Sequence, residues 1–367
     1  MKKTLSVLLV LIVAFSVFAK GGTETKTATY RVAMVTDYGD ITDQSFNQIT
    51  YEACRDFSAD YGIDFNYFKP AGDSDADRQA SIEKAIDQGY NIIVTPGFAF
   101  AGAVKAAAGD NPDIKFITLD VGEGDWGDYK LPANVYSAVY AEQYSGFMAG
   151  YAAVKMGFTK LGFLGGMAAP AVKRYGYGFV QGADQAATEL GKKIELKYIY
   201  GNQFFGDPDI TAAMETWYAA GTQVVFACGG GIWTSAAEAA AKYNQKIIGV
   251  DVDQQSIIDG KFGNGLTVTS AIKGLRPATY NTLADVIRND NWGKYSGKQE
   301  TLGLISATDP YANYVGIGES TQFNSGFSKE DLVTLTGKLF NRQYKVNDET
   351  VEPVTKSFKF EDLGFIK

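Results

Sequence analysis

The chain predicts two α/β lobes, each a parallel sheet flanked by helices, joined by a hinge. Three observations carry that expectation. From Tyr30 onward, short β-rich runs alternate with stretches of helical spacing. The runs are nearly continuous in apolar residues, as strands covered on both faces require. The rhythm also stops and restarts near residue 140, so there are two blocks rather than one.

Before the first block, Lys2 and Lys3 precede an apolar run from Leu5 to Phe18 that ends in the small-residue step at Ala19. Residues 1–19 therefore read as a secretory signal peptide. The run is shorter than the roughly 20 residues of a bilayer span. A cleaved signal is the expectation and a retained anchor the alternative. No cysteine follows the run to accept a lipid, so an exported product is expected, soluble in the periplasm or at the cell surface. Residues 20–29 are small and polar and read as a flexible tether.

In the first block, strands are expected over 30–36, 64–68, 91–95, 115–119 and 134–139, with helices over 45–61 and 76–88. In the second of these helices Ile82, Ala85 and Ile86 form one apolar face, and Gly89 ends it. The second block predicts strands over 160–164, 194–200, 223–228 and 246–250. Helices are expected there over 140–156, 173–190, 209–220 and 233–243. A strand at 266–270 and a helix at 274–288 are expected to rejoin the first sheet, which has a free edge. Beyond Asn289 the pattern weakens to a strand over 301–306 and a helix over 328–339. The first lobe is thus expected to take 30–139 plus about 252–367, and the second 140–251.

Composition removes whole classes of function. The formal net charge is −8, more negative still without the two signal lysines, and no Lys/Arg-rich block occurs. Nucleic acid, which needs clustered cations, is not an expected partner. There is no histidine, which removes the commonest general base, the Ser–His and Cys–His pairs and most catalytic zinc sites. An enzyme is therefore not expected, and neither is a metal or a cofactor. Cys54 and Cys228 fall in different blocks and read as two small buried residues.

Ligands of parallel α/β sheets sit outside the carboxyl ends of strands, so those loops carry the candidates. The first strand is followed by Asp37, Asp40, Asp43, Ser45, Phe46 and Asn47 within eleven positions. One such residue suffices to cap the next helix, so a ligand role is expected for the others. Asp120 and Asp251 also stand just past strands, where either capping or binding would explain them singly. Three strand-end aspartates together suggest pairs of hydrogen bonds to vicinal hydroxyls, with Lys273 as counter-charge. A metal site is the rival reading of these acids, though hard cations need six or more oxygens at defined spacing.

The stretch from Cys228 through Gly229, Gly230 and Gly231 to Trp233 joins a strand to a helix but lacks a nucleotide-loop ending. Close approach of Gly229 and Gly230 to an uncharged ligand is the expectation, with Phe46 and Trp233 clamping a planar ring from opposite lobes. Asp73, Asp75 and Asp77 begin like a calcium loop, but Arg78 stands where glycine is required and Lys84 where glutamate is. Acids at a helix N-terminus explain them.

These residues carry a likeness. The chain resembles the basic membrane protein family of substrate-binding proteins, which includes purine nucleoside receptors of ABC importers. The matching segments are Asp43-Gln44-Ser45-Phe46-Asn47, Gly146-Phe147-Met148-Ala149-Gly150-Tyr151-Ala152-Ala153 and Lys160-Leu161-Gly162-Phe163-Leu164-Gly165-Gly166. Tyr177-Gly178-Phe179-Val180-Gln181-Gly182-Ala183, Gly249-Val250-Asp251-Val252-Asp253-Gln254 and Thr269-Ser270-Ala271-Ile272-Lys273 continue it. The resemblance implies a type I periplasmic-binding-protein-like fold holding a nucleoside, with a purine as the expected base, for an ABC permease, with the receptor a monomer. It further implies that Phe46 and Trp233 sandwich the base. Asp37, Asp120, Asp251 and Lys273 would hold ribose hydroxyls, and Asn47 would reach base or sugar. A wide indole at Trp233 equally suits riboflavin or another planar ring. A carboxylate-based nucleoside enzyme and a sensory or adhesion module are the rivals from other classes.

Overall fold

The computed structural model describes residues 30–37, 39–348 and 350–366. The expected signal peptide and tether lie outside these residues. In chain order the first block is β1 (Arg31–Val35), α1 (Phe46–Tyr61), β2 (Asp64–Phe68), α2 (Asp75–Asp87), β3 (Ile92–Pro96), α3 (Ala101–Asp110), β4 (Lys115–Leu119), α4 (Glu123–Trp126) and β5 (Val135–Tyr140). The second is α5 (Glu142–Lys155), β6 (Lys160–Gly165), α6 (Pro170–Leu190), β7 (Glu195–Tyr200), α7 (Pro208–Ala219), β8 (Val224–Cys228), α8 (Trp233–Lys242), β9 (Lys246–Asp251), α9 (Gln255–Phe262) and β10 (Thr267–Lys273). The remainder is α10 (Leu275–Arg288), β11 (Lys298–Leu302), β12 (Val315–Ile317), α11 (Lys329–Phe340) and β13 (Asp362–Phe365).

The strands form two sheets, ordered β11-β5-β4-β3-β1-β2 and β12-β10-β9-β8-β6-β7-β13. Every pairing is parallel except β12 against β10. Every residue of β3 and β8 is buried, as expected of central strands covered by helices on both faces. Asp75 and Asp77 stand in the first turn of α2 as expected, but the cap is Ser74, whose Oγ accepts from Asp77 N at 3.1 Å, and Arg78 is held by Asp73 and Asp75. Both cysteines are free and buried. Among the described residues no helix is long and apolar enough to cross a membrane.

One expectation is corrected. The strand predicted at 266–270 does not return to the first sheet; as β10 it pairs with β9, Ser270 opposite Gly249 and Ala271 opposite Val250. The reason is α9, which the sequence reading omitted. A strand, a helix and a second parallel strand form one more crossover unit in the same sheet. Only α10, which packs on α1, and β11, which pairs with β5, rejoin the first lobe. The chain from β12 onward belongs to the second. Its last stretch is held by the Asp184 carboxylate, which accepts from Ser357 N at 2.6 Å and Ser357 Oγ at 2.7 Å.

The chain therefore crosses between lobes at 140–142, 273–275 and 302–315. The crossings lie side by side. Ala141 N donates to Leu302 O at 2.9 Å, Tyr314 N to Gly303 O at 3.1 Å and Gly274 N to Tyr314 O at 2.7 Å. Ser145 Oγ ties two of them, donating to Ile272 O at 2.6 Å and accepting from Gly316 N at 2.8 Å.

Candidate functional site

The carboxyl ends of the two sheets face each other across a cavity of about 360 Å³, within the range of small-molecule sites. Loops after β1, β3 and β4 form one wall. The start of α6 and the ends of β7, β8, β9 and β10 form the other. The lobes also touch directly. Ser45 Oγ donates to Asp251 Oδ2 at 2.6 Å, Gln254 Nε2 to Gln44 O at 2.9 Å and Trp233 Nε1 to Asp43 O at 3.3 Å.

Of the residues expected from sequence, Asp37, Asp43, Phe46, Asn47, Asp120, Gly229, Gly230, Asp251 and Lys273 all line this cavity. Their tasks differ. Asp43 is largely spent on the start of α1, where it accepts from the N–H groups of Ser45, Asn47 and Gln48 at 2.9 to 3.1 Å. Asp37 Oδ1 accepts from Gly39 N at 2.6 Å and Asn47 Nδ2 at 3.2 Å. Ser45 is buried behind the wall and orients Asp251, whose Oδ1 accepts from Tyr175 OH at 3.2 Å. Two acceptors of the lining residues, Asn47 Oδ1 and Asp120 Oδ1, are buried and receive no hydrogen bond from the described residues. A buried acceptor left without a donor costs its desolvation.

Asp120 and Asp251 share a further feature. Both have left-handed backbones, with φ of 61° and 65°. An L-residue adopts that region at a cost, and such positions concentrate at ligand sites.

Lys273 is buried at the centre. It pairs with Asp120 Oδ2 and lies 2.9 Å from Glu142 Oε1, while Glu142 Oε2 accepts from Arg174 Nε at 2.6 Å. The ammonium sits 5.1 Å from the ring centres of Phe46 and Tyr140, so aromatic faces add to its stabilisation. Burial opposes its charge, but Asp120, Glu142 and Asp251 outweigh burial and raise its pKa. Burial also opposes the Glu142 carboxylate, yet Arg174 and Lys273 together hold it below the usual range.

Trp233 is the residue that sequence reasoning misplaced. It is buried, does not line the cavity, and stands edge-on to Phe262 at 6.4 Å. Helical side chains lean back over the preceding turn, and here that direction leads into the packing of α8 on α9. The aromatic face opposite Phe46 comes from elsewhere. Phe204 and Phe205, in the loop after β7, line the cavity together with Phe98 and Tyr175. Gly229 has φ of 137°, and a Cβ there would stand 2.9 Å from the Phe204 ring. The glycine loop thus makes room for Phe204. Two adjacent phenylalanines in a polar loop past a strand end were a readable signal. Tyr175, Glu142 and Arg174 carried none, because their roles depend on long-range partners.

Burial in the cleft pushes Asp37, Asp43 and Asp120 each up to about 6; for Asp120 the Lys273 charge opposes the rise. Burial raises Asp251 as well. An acid with a folded pKa above its unfolded value, about 3.9, disfavours folding once ionised. Between about pH 4 and about pH 6 the folded state binds more protons than the unfolded one, so stability falls as pH rises through that window. Asp285, held at about 2 by Lys294, and Glu189, held at about 2 by Lys155 and tyrosine hydroxyls against burial, act in the opposite sense only below the ordinary carboxylate range. The unliganded protein is expected to melt at a higher temperature at about pH 5 than at about pH 7.5. A melting temperature that climbs steadily across that range contradicts the assignment.

Two α/β lobes enclosing a cavity walled by strand-end loops define the type I fold of periplasmic solute-binding proteins. The comparisons agree. A solute-binding protein of an Aeropyrum pernix ABC transporter system superposes with a TM-score of 0.66 at 22% identity, covering 86% of each chain. A Lac repressor structure bound to ONPG superposes at 0.52 with 11% identity over 74% of this chain and 79% of that one. The chain belongs to the family of PnrA-like ABC transporter substrate-binding proteins, which matches residues 30–350. Among its relatives, the ABC transporter nucleoside-binding protein BmpA of Lactococcus lactis is 32% identical over 295 residues, 75% of this chain and 79% of that protein. Basic membrane protein B of Borreliella burgdorferi is 27% identical over 345 residues, 92% and 94% of the two chains. The protein is accordingly a substrate-binding component of an ABC transporter, and its family is not one of enzymes.

Proposed function

We propose that this protein captures a nucleoside, with a purine base, between its two lobes and delivers it to a membrane permease. The observation that supports this most is the pair of unpartnered acceptors, Asn47 Oδ1 and Asp120 Oδ1, in a cavity walled by Phe46, Phe98, Phe204 and Phe205. A nucleoside offers both complements, a flat base for the rings and hydroxyl donors for the amide oxygen and the carboxylate. Stacking contributes about 1–3 kcal/mol per base in comparable sites. Hydrogen bonds to ionised carboxylates are the stronger kind. The name of the Lactococcus relative points the same way. The wide-ring alternative rested on Trp233, whose place outside the cavity removes its motive. Delivery follows from opening at the three adjacent crossings, as two-lobed receptors open by hinge rotation.

The test is titration calorimetry with guanosine, inosine, cytidine and riboflavin, beside mass spectrometry of whatever the purified protein retains. Purine nucleosides are expected to bind most tightly. Asp120→Ala is expected to cost about 1.5–3 kcal/mol, roughly 10–150-fold in affinity, the range for a hydrogen bond to a charged group. Unchanged affinity in that variant, or tighter binding of riboflavin, defeats the reading.

A further inference from the structure

Glu142 stands in the first turn of α5, where the chain leaves the first sheet for the second lobe, and is fully buried. It is not among the cavity-lining residues. Through its two oxygens it joins Arg174 of α6 to Lys273 at the end of β10, and Lys273 in turn meets Asp120 beyond β4. Four charges from four elements thus form one chain whose formal sum is zero. The remaining charged wall is acidic: Asp37, Asp40, Asp43 and Asp251 line the cavity, and Lys273 is the one cation among the described lining residues.

Phosphate is recognised by free Arg or Lys groups or by unsatisfied backbone donors. Lys273 lines the cavity and Arg174 stands behind it, and Glu142 pairs with both; the other cations by the wall, Lys69 and Arg78, are held by Asp40 and by Asp73 and Asp75. We propose that Glu142 is a positioning residue that sets the charge selectivity of the cavity. By committing Arg174 to itself, and Lys273 together with Asp120, it leaves neither of these two cations for an anionic ligand, so the protein takes a nucleoside and refuses its phosphate ester. This rests on the nucleoside reading above. Glu142 acts through Lys273, which it holds against Asp120, and so also decides which Asp120 oxygen stays open to a hydroxyl donor.

Titration calorimetry of guanosine and guanosine 5′-monophosphate, on the wild type, Glu142→Gln and Glu142→Asp, tests the proposal. The wild type is expected to bind the monophosphate at least about 100-fold more weakly than the nucleoside, the dianion meeting an acidic wall. Glu142→Gln turns the four-charge chain to a net +1, and the gap is expected to narrow at least about tenfold while nucleoside affinity falls. Glu142→Asp keeps the charge and is expected to restore most of the gap, which a purely structural role for Glu142 does not predict. An unchanged ratio in a Glu142→Gln protein with native circular dichroism overturns the proposal. So does a wild type that binds both ligands within tenfold, a result that stands even if the variant does not fold. A wild type that binds neither ligand overturns the nucleoside reading and this proposal with it.

Discussion

Lys273→Met is expected to destabilise the protein by about 3–5 kcal/mol and to abolish ligand binding. Methionine is unbranched like lysine and only one atom shorter, so packing is largely conserved and the loss falls mainly on the charge. Without the ammonium, the Asp120 carboxylate loses its only hydrogen-bond donor among the described residues, and Glu142 keeps Arg174 alone. Uncompensated buried carboxylates are the costly case. Removing one partner of a buried pair is far worse than replacing the pair. The double variant Lys273→Met with Asp120→Asn is therefore expected to recover part of the loss, which a double-mutant cycle in urea measures directly. The deficit also carries a sign with pH. Loss of Lys273 raises Asp120 further above its unfolded pKa, so the variant gains on the wild type as pH falls from about 7 towards about 5. A variant within about 1 kcal/mol of the wild type at neutral pH, and parallel to it in pH, refutes the central role given to Lys273.

That same cluster marks how far the sequence could be read. Asp37, Asp120 and Asp251 were legible because each follows a buried apolar run, and parallel sheets place ligands at that end. Lys273 was legible by charge balance. Glu142 was not, since an acid in the first turn of a helix already has a local explanation in the helix dipole. Only the distant arrival of Arg174 and Lys273 gives it another. Trp233 failed for a related reason: its place in the sequence says that it follows a glycine loop, whereas side-chain direction decides which side of the loop it faces. The fold shows the same division. The bounds of β2 and β4 coincide with the β-rich runs that predict them. The sheet to which β10 belongs depended on α9, an eight-residue helix with too short an apolar pattern to notice. The tail after Asn341 is held by Asp184 and by the edge of β7. Both are tertiary partners, invisible to local periodicity.

The largest stability effect away from charge is expected at the helix pair α5 and α6. Gly146 and Gly150 on one helix, and Gly178 and Gly182 on the other, each press against the opposite backbone. A Cβ at Gly146 would overlap Tyr175 O, at Gly150 Phe179 O, at Gly178 Gln143 O and at Gly182 Phe147 O. These glycines belong to the motifs that carried the family likeness, and here their physical content is close approach of two main chains. A backbone carbonyl cannot turn aside as a flexible side chain can. Gly150→Ala is therefore expected to cost about 1–3 kcal/mol through overpacking, despite the roughly 0.5–1 kcal/mol that alanine returns in a helix interior. Combined with Gly146→Ala the cost should exceed either alone, because both insertions separate the same two helices. Gly109→Ala is the control. That glycine lies in α3 with open space where its Cβ would go, so the same substitution is expected to stabilise by up to about 1 kcal/mol. Urea midpoints moving in opposite directions at Gly150 and Gly109 would assign the motif to helix packing. Equal shifts at both positions would reduce it to glycine's general cost in a helix.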